Sequence, residues 1–588
     1  MEFQSAIRIF AGLLLTLLLF PLYWGKYDLL LAFSESVPNV ANFITGSLPG
    51  DAKSPTGRHV PVEIEPYAYY LIHTRISGTP EIHIDLAYPG YDKPEQELVI
   101  PHGPKEKYNY FFLFNSDDAP SKAVNFRIFF LDIQPIEVTY IDLKKIPNLA
   151  ISIWKVIITI IILTSSYLFL SGLPQQKYRA AFLIFIIGFG LAWTLAINPL
   201  SGDNRNYAMV ARSLLSDGDI KIDEFKERIV ANEFYGVIND NGKLYNLFPV
   251  GPSLVLAPLY SAIYTYSDIS THVAEHTAGR LAVAMSFGVT LALFFLLVSR
   301  FDNVSLTVAL GLTFIFGFCS HQLSQHVNNF ASHNATMPFI LAAFLALKSD
   351  YRSIVFFAGI SLLCAYVMRP TAGLVVPLAG LWLWLYRKEY FWPFMAGCFI
   401  FGFLLIAMNL TFYGRILSPY SQIGRLGSSV FFEALVGNII SPNRGLLVFM
   451  PWIVFSLIGA WWTFYHKEVD LFFRLIVVIV GAHLLVVSSF QQWWGGGSYG
   501  PRFLAEIMPE LVLMLIPFFQ TPIWKKYMIT RIVFTMTLVY ALMVQFGGLT
   551  IAAQQWNPLP VDVDQHPERI WDWRDLQILR PLNFYKIL

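Results

Sequence analysis

Long apolar runs are the feature that most constrains how this chain can fold. Stretches such as 277–299 and 391–412 hold about twenty consecutive residues with almost no charge, and a helix needs roughly 20 apolar residues to cross the hydrocarbon core of a bilayer. Only 14% of the 588 residues are charged, whereas a soluble globular chain has about 25%. The sequence therefore predicts a mainly α-helical polytopic membrane protein.

Thirteen transmembrane helices are predicted from these runs. Their boundaries fall near 7–33, 149–172, 179–199, 277–299, 304–322, 334–348, 353–368, 371–386, 391–412, 447–465, 470–490, 504–520 and 531–551. Residues 1–33 are interpreted as a retained N-terminal anchor, since no small-residue cleavage site follows them.

The turns between alternate spans are basic, as at Arg300, Lys348 and Arg387. Because Lys and Arg accumulate in cytoplasmic loops, the N-terminus is predicted to be cytoplasmic, in a multi-pass protein of the inner or plasma membrane. The domain 149–551 would hold the helices, and the tail 552–588 would lie outside the cytoplasm.

Residues 34–148 alternate polar and apolar side chains over several short stretches separated by turn signals. This pattern is typical of antiparallel strands and predicts an extracytoplasmic β-sandwich. Carbohydrate binding and a structural or partner-docking role are both open for it, since aromatic residues are common in any strand.

The predicted outer loop 200–276 contains three local signals. Tyr207 begins an apolar stripe at helical spacing, which indicates a helix lying on the membrane surface. Asn239–Gly242 is a hairpin turn sequence. The apolar segment 249–264 is broken by three prolines and is predicted to be a second interfacial element rather than a span.

Asp203 is the first candidate for chemistry, because it stands where the third predicted span leaves the lipid. A carboxylate at that boundary sees less water and is a stronger proton acceptor. The alternative is structural, since Asp before an apolar-periodic run is also typical of a helix N-cap.

Arginines in the predicted outer loops are the second candidate feature. The stretch 201–275 holds ten Asp/Glu against six Lys/Arg, while the loop 413–446 holds three arginines against Glu433 alone. Such loops suit a base facing a phosphate clamp, or simply paired surface charges. Arg369, at the outer end of a span, would be costly in the hydrocarbon unless it is paired, faces a wet cavity or reaches the headgroups.

The run Trp493–Arg502 is the third feature. Its glycines let the backbone pass close to a ligand, and its aromatic rings suit a sugar face or an interfacial lipid. The alternative is a pair of aromatic belt residues followed by a flexible loop. No nucleotide-binding glycine motif, metal-ligand spacing or nucleophile elbow is found, so no cofactor and no metal are predicted. The net charge of +1 gives no sign of nucleic-acid binding.

Together these motifs resemble the GT-C class of membrane glycosyltransferases, the group that includes protein O-mannosyltransferases and lipid A aminoarabinose transferases. The matching pieces follow one another in order over about residues 179–520; they are Gly202–Tyr207, Ser213–Asp219, Leu244–Pro252, Arg369–Thr371, Ser441–Gly445 and Gly495–Arg502.

The resemblance implies transfer of a sugar from a polyprenyl-phosphate donor to an acceptor hydroxyl of a lipid, glycan or protein, at the outer membrane face and with inversion. It implies Asp203 as catalytic base, and Arg444, Arg502 and Arg369 as groups that hold the leaving phosphate. Aminoarabinose-transferase relatives carry a phosphate-contacting lysine in the second interfacial element, where this chain has Phe248–Gly251; Lys243 is the candidate substitute.

Six further side chains in these loops are candidates for substrate contact, being aromatic or imidazole groups near the motifs; they are Tyr207, Tyr245, His333, Tyr420, Trp494 and Tyr499. The alternative function is a transporter or flippase of a lipid-linked saccharide. The sequence shows no internal repeat, and its polar residues cluster at one interface rather than at mid-bilayer, which favours the enzyme.

Overall fold

The protein is described from a computed structural model. The structure describes the backbone of the strands between 35 and 146, and then residues 176–196, 200, 204–226, 229, 236–240, 242–266, 271–327, 329–421, 427, 429–466, 468–550, 553 and 556–580. The predicted spans 7–33 and 149–172 and the predicted base Asp203 lie outside the described residues. Residues 174–257 and 279–588 form one compact unit, and 1–173 with 258–278 form another.

Among the described residues, nine strands lie in the region predicted to be a sandwich. They are β1 Glu35–Ser36, β2 Gly46–Leu48, β3 Arg58–Ile64, β4 Tyr69–Ser77, β5 Ile82–Ala87, β6 Gln96–Ile100, β7 Lys107–Leu113, β8 Lys122–Phe130 and β9 Ile136–Ile146. They pair antiparallel in two sheets, one ordered β1-β9-β4-β7 with β2 also on β9, the other β3-β8-β5-β6. The predicted strands are confirmed, and the packing of the two sheets into a sandwich stays a prediction.

The rest of the chain is mostly helical. Its helices are α1 Gln176–Leu195, α2 Arg205–Ser216, α3 Gly251–Tyr266, α4 Thr271–Val298, α5 Leu306–Phe318, α6 Ser332–Leu347, α7 Arg352–Met368, α8 Val375–Tyr386, α9 Lys388–Tyr413, α10 Phe431–Ile440, α11 Leu446–Phe449, α12 Ile453–Tyr465, α13 Phe472–Ser488, α14 Met508–Leu513, α15 Leu515–Gln520, α16 Pro522–Lys526 and α17 Met528–Gly547.

Helices lie at every predicted span within the described residues. Five helical segments there are long and apolar enough to cross a membrane: Gln176–Leu195, Ala274–Val298, Lys388–Tyr413, Arg502–Gln520 and Met528–Gly547. Shorter apolar helices occupy the other predicted spans. Two helices of the described residues were missed: α10 lies within 413–446, which is predicted to be a loop, and the short α16 lies in the predicted turn between 504–520 and 531–551.

The basic turns gather at one end of the helices, here called the basic end. Lys348 pairs with Asp470, and Arg387 donates to the carbonyl oxygens of Leu347 and Ser349. Helix α6 begins at Ser332, and Lys348 follows its last residue. Because the helix has 16 residues, Ser332, at the opposite end, lies about 24 Å from the basic end at 1.5 Å per residue. That opposite end, called the site end, carries Arg369.

A close crossing fixes α7 against α9. A Cβ added to Gly397 would lie 2.1 Å from the carbonyl oxygen of Phe356, and one added to Gly359 would lie 2.4 Å from that of Phe394. Small residues at such a crossing let two helix backbones approach closely. The two helices are therefore held closely together in their halves nearer the basic end.

Candidate active site

The described residues of the segment 204–250 form a platform on the site ends of α7 and α9. Its core contains Met209, Val210 and Ile222, and the partly buried Val367 of α7 and Phe412 of α9 pack against it. The predicted hairpin is confirmed as β10 Val237–Asp240 and β11 Lys243–Asn246. The platform therefore contacts Val367, which precedes Arg369 by two residues in the chain.

A helix, α2, lies where the apolar stripe predicts one, and its position on the membrane surface stays a prediction. The apolar stripe that begins at Tyr207 also includes Val210 and Leu215; Tyr207 and Val210 are buried within the protein, and Leu215 is 47% exposed. Asn204 is the residue that caps the helix, and its side chain makes no capping hydrogen bond. Asp203 precedes Asn204 in the chain and lies outside the described residues, so its assignment as a base and the N-cap alternative both stay predictions. Inside α2, Asn206 donates to Asn246 Oδ1 at 3.3 Å, tying the helix to the hairpin.

Two predicted substrate-contacting tyrosines meet through a third ring. The Tyr207 ring packs edge-on against Phe248 at 6.5 Å between centroids, and the Phe248 ring lies 6.4 Å from that of Tyr420. Phe248 begins the stretch Phe248–Gly251, in which the resemblance implies a phosphate-contacting lysine, and its apolar ring is buried there. Tyr245 lies apart from this row and packs on Tyr413 at 6.3 Å.

The second interfacial element begins directly beside the Arg369 turn. A Cβ on Gly251, the first residue of α3, would lie 2.6 Å from the carbonyl oxygen of Val367 and 2.7 Å from Met368 Cα. Only a glycine permits this approach without displacing the backbone. Helix α3 has 16 residues with Pro258 inside, and its assignment as an interfacial element rather than a span stays a prediction.

Arg369 is buried and paired at the site end. Its Nε contacts Glu506 Oε1, and its Nη1 lies 3.4 Å from Ser332 Oγ and 3.5 Å from His333 Nδ1. Thr371 donates to the same carboxylate at 2.8–2.9 Å. The arginine is 4% exposed, so it does not extend to lipid headgroups. Glu506, which sequence reasoning missed, neutralises it.

Arg502 and His333 lie beside this pair. The guanidinium carbons of Arg369 and Arg502 are 5.4 and 5.6 Å from the centroid of the Phe503 ring, so one ring contacts both cations. Arg502 is half-buried, and a Cβ on Gly495 would lie 3.6 Å from its Nε. His333 is buried, and among the described residues its Nε2 has no hydrogen-bond partner. We call Ser332, His333, Arg369, Arg502 and Glu506 the site-end cluster.

Arg444 has a different role from the one predicted. It is fully buried, and its N–H groups donate to five neutral oxygens: the carbonyls of Asn443, Trp494 and Gly496 and the side-chain amides of Asn557 and Gln577, at 2.7–3.1 Å. A guanidinium has five N–H donors, so none is left for a phosphate in this arrangement. Burial, with the nearby charge of Arg502, lowers the pKa of Arg444 to about 9, which still leaves it charged at neutral pH.

The glycine-rich run serves the same internal packing. Trp494 Nε1 donates to Asp564 Oδ1 at 2.8 Å. Tyr499 is 2% exposed and its hydroxyl donates to the Val544 carbonyl at 2.7 Å. Gly500 has φ +60°, and a Cβ there would lie 2.6 Å from His321 Cε1. Tyr499 is therefore not a substrate contact in this arrangement, and Trp494 contacts the C-terminal segment.

The segment 556–580, predicted only as a tail, folds onto these loops. Trp556, Val563 and Ile570 are buried with Trp493 in one hydrophobic cluster. Asn443 donates to the carbonyl oxygens of Arg569, Asp572 and Asp575 at 3.0–3.3 Å. We call residues 556–580 the C-terminal cap. Its sequence carries no periodic signal, so sequence reasoning had nothing to find it by.

Lys243 lies at the exposed tip of the hairpin, paired across the ladder with Asp240. Arg415, from the loop after α9, reaches Asp240 Oδ2 at 3.5 Å. The contact between Arg415 and Asp240 is thus an exposed ion pair, the alternative that the sequence left open to phosphate binding by the loop arginines. Nothing in the described residues brings Lys243 to the site-end cluster.

A buried polar stretch before α6 was also missed. Gln322–His326 is a π-helix, an element that is frequent at functional sites. His326 Nδ1 lies 2.8 Å from Gln322 Oε1 and its Nε2 lies 2.9 Å from Ser286 Oγ. Burial lowers the pKa of His326 to about 3, so this ring is neutral at pH 7 and positions the turn that leads to His333.

Within the described residues, no group of three or more His, Cys, Asp or Glu side chains is arranged to hold a metal ion. No protein-family model, no curated protein and no solved structure matches the chain. Any function must therefore be argued from the residues themselves.

Replacing Arg444 tests its structural assignment. We expect Arg444→Gln to lower the free energy of unfolding by roughly 2–4 kcal/mol, because hydrogen bonds to a charged group are lost and several buried carbonyls lose their donor. Limited proteolysis should cut the C-terminal cap at least tenfold faster. Arg415→Gln, at an exposed ion pair, should change stability by no more than about 0.5 kcal/mol. An intact cap with abolished donor binding would instead support the phosphate role.

Proposed function

We propose that this protein is a membrane glycosyltransferase that moves a sugar from a polyprenyl-phosphate donor to an acceptor hydroxyl at the outer membrane face. The observation that carries the proposal is the grouping at one end of the helices. Arg369, His333 and Arg502 adjoin one another there, and the platform that follows Asp203 packs on the same helix end. A carboxylate and cations at one interface suit a donor with a lipid tail and a phosphate.

In the proposed reaction, Asp203 accepts the proton of the acceptor hydroxyl as its oxygen attacks the anomeric carbon. The bond from that carbon to the phosphate oxygen breaks, and polyprenyl phosphate leaves with the electron pair. Direct displacement inverts the anomeric centre. Arg502, which is half-buried, is the cation best placed to meet the developing charge, and Arg369 with its counterion Glu506 sets the local field.

The aromatic row Tyr207, Phe248 and Tyr420 supplies a wall for the sugar or the first isoprene unit. The stretch Phe248–Gly251 contains no lysine. Its sequence therefore favours a site in which Arg502, rather than an ammonium group on the platform, binds the donor phosphate. Arg444 takes no part in phosphate binding in this proposal, because all five of its donors are used within the chain. The proposed chemistry uses no cofactor and no metal.

The proposed topology has thirteen spans, a cytoplasmic N-terminus, the basic end in the cytoplasm and the site end outside. The positive-inside bias supports this orientation, since Lys177, Arg300, Lys348 and Arg387 all belong to the basic end. Residues 34–148 would then form an outward-facing sandwich that docks a partner or an acceptor glycan.

Sealed proteoliposomes test the function against the transporter alternative. Polyprenyl-phosphate mannose and polyprenyl-phosphate aminoarabinose with isotope-labelled sugars would be supplied, with envelope lipids and glycans as acceptors. We expect a labelled acceptor and stoichiometric free polyprenyl phosphate by mass spectrometry. Labelled donor that changes leaflet while its sugar–phosphate bond stays intact would instead identify a flippase.

A further inference from the structure

A cleft opens at the basic end, away from the site-end cluster. It has a volume of about 250 Å³ and lies between the starts of α1 and α7 and the ends of α4 and α6. Its cationic lining residues are Lys177 and Arg300, and its apolar ones include Leu293, Leu296 and Leu345. The cleft therefore combines two positive charges with a hydrocarbon floor.

The two cations of the cleft are not used within the described part of the fold. Lys177 lies 5.3 Å from the centroid of the neighbouring Tyr178 ring, and no carboxylate of a described residue is within ion-pair distance of Lys177 or Arg300. Two neighbouring basic groups of this end do have counterions: Lys348 pairs with Asp470, and Arg387 pairs with Asp350. The positive charge at the cleft thus lacks a counterion of its own among these residues.

The size of the cleft limits its occupant. A volume of about 250 Å³ is below the 300–1,000 Å³ typical of pockets for drug-sized molecules. It suits a phosphate-bearing head group with the first few methylenes, while the rest of a chain would lie along the lipid-facing helices. Phe357, one turn along α7 from the lining residue Ile354, is 60% exposed and offers further apolar surface to such a chain.

We propose that this cleft binds an anionic phospholipid of the surrounding leaflet. Lys177 and Arg300 meet the head-group phosphate, and Leu293, Leu296 and Leu345 contact the acyl chain. Basic pockets between transmembrane helices recognise anionic lipids by this combination of charge and hydrocarbon contact. The site is independent of the proposed glycosyltransferase chemistry, because it lies at the other end of α6.

Native mass spectrometry of the full chain in detergent tests this site, with phosphatidylglycerol and phosphatidylcholine as probes. We expect the wild-type protein to prefer phosphatidylglycerol, and Lys177→Gln/Arg300→Gln to bind it about thirtyfold more weakly, as expected for two cations near a lipid phosphate. Ala342→Phe, which fills the cleft and keeps both charges, should also release the lipid. Arg352→Gln/Lys388→Gln removes the same charge from exposed positions at the basic end and should bind as the wild type does.

If Lys177→Gln/Arg300→Gln and the control Arg352→Gln/Lys388→Gln lose phosphatidylglycerol binding equally, the proposal is wrong. Such a result would show only a general attraction of anionic lipid to the positive surface. Glycerol 3-phosphate supplies the phosphate without the hydrocarbon. If it displaces phosphatidylglycerol at comparable concentration, the site is one for soluble phosphates and the lipid assignment is wrong. Retention of phosphatidylglycerol by Ala342→Phe would place the lipid elsewhere.

Discussion

Asp203→Asn is expected to lower the turnover number kcat for sugar transfer by about 10²–10⁴-fold, the usual contribution of a positioned general base. The amide has nearly the same shape as the carboxylate but cannot take up the proton of the acceptor hydroxyl. Binding of the polyprenyl-phosphate donor should be nearly unchanged, because the proposed phosphate contacts lie on Arg502 and the site-end cluster. Purified variants in proteoliposomes, assayed for transfer and for donor affinity, separate the two quantities.

Asp217→Asn is the matched control for this experiment. Asp217 is the exposed C-cap residue of the same helix, α2, so the variant makes the same chemical change at the other end of the helix, at a residue with no proposed role in transfer. It should keep wild-type transfer. If Asp203→Asn also transfers sugar at the wild-type rate, the base assignment is wrong.

Glu506→Gln is expected to lower the free energy of unfolding by about 3–5 kcal/mol. Removing one partner of a buried ion pair leaves an uncompensated charge in a poorly solvated place. The charge left behind belongs to Arg369, which is 4% exposed, while Glu506 is 2% exposed. The amide oxygen introduced by Glu506→Gln would still accept the hydrogen bond from Thr371. The loss of stability would therefore come mainly from the missing negative charge beside Arg369. Unfolding in mixed micelles, followed by intrinsic fluorescence, measures it.

A double replacement distinguishes a charge pair from general disruption. Arg369→Gln/Glu506→Gln removes both charges and should be less destabilising than the sum of the two single changes. Glu389→Gln, an exposed carboxylate at the basic end, should change stability by no more than about 0.5 kcal/mol. Strict additivity of the two single changes would contradict the pairing seen between Arg369 and Glu506.

The helices and the platform were predictable from sequence because their signals are local. An apolar run of twenty residues has few alternatives to a buried or membrane-spanning helix, and α4 and α9 lie where such runs are. The stripe that begins at Tyr207 and the turn Asn239–Gly242 likewise depend on spacing within one segment. Leu215 shows the limit, since its exposure is decided by what packs against α2.

The partners of the buried charges were not predictable, because they come from distant parts of the chain. Arg444 was recognised as an arginine in an unusual place, but its acceptors Asn557 and Gln577 follow it by 113 and 133 residues. Glu506 pairs with Arg369 across a similar distance and sits in a run that reads as apolar helix. A single sequence shows the cost of a buried charge and does not show which group offsets it.

The proposed activity requires one outward-opening site shared by Asp203 and Arg502. An electron cryomicroscopy structure of the Asp203→Asn protein with a bound polyprenyl-phosphate sugar measures this directly. The account predicts the donor phosphate within hydrogen-bond distance of Arg502, beside the Arg369–Glu506 pair, with the anomeric carbon facing residue 203. A donor bound at the basic end, or a phosphate held by Arg444 in place of Asn557 and Gln577, would contradict it.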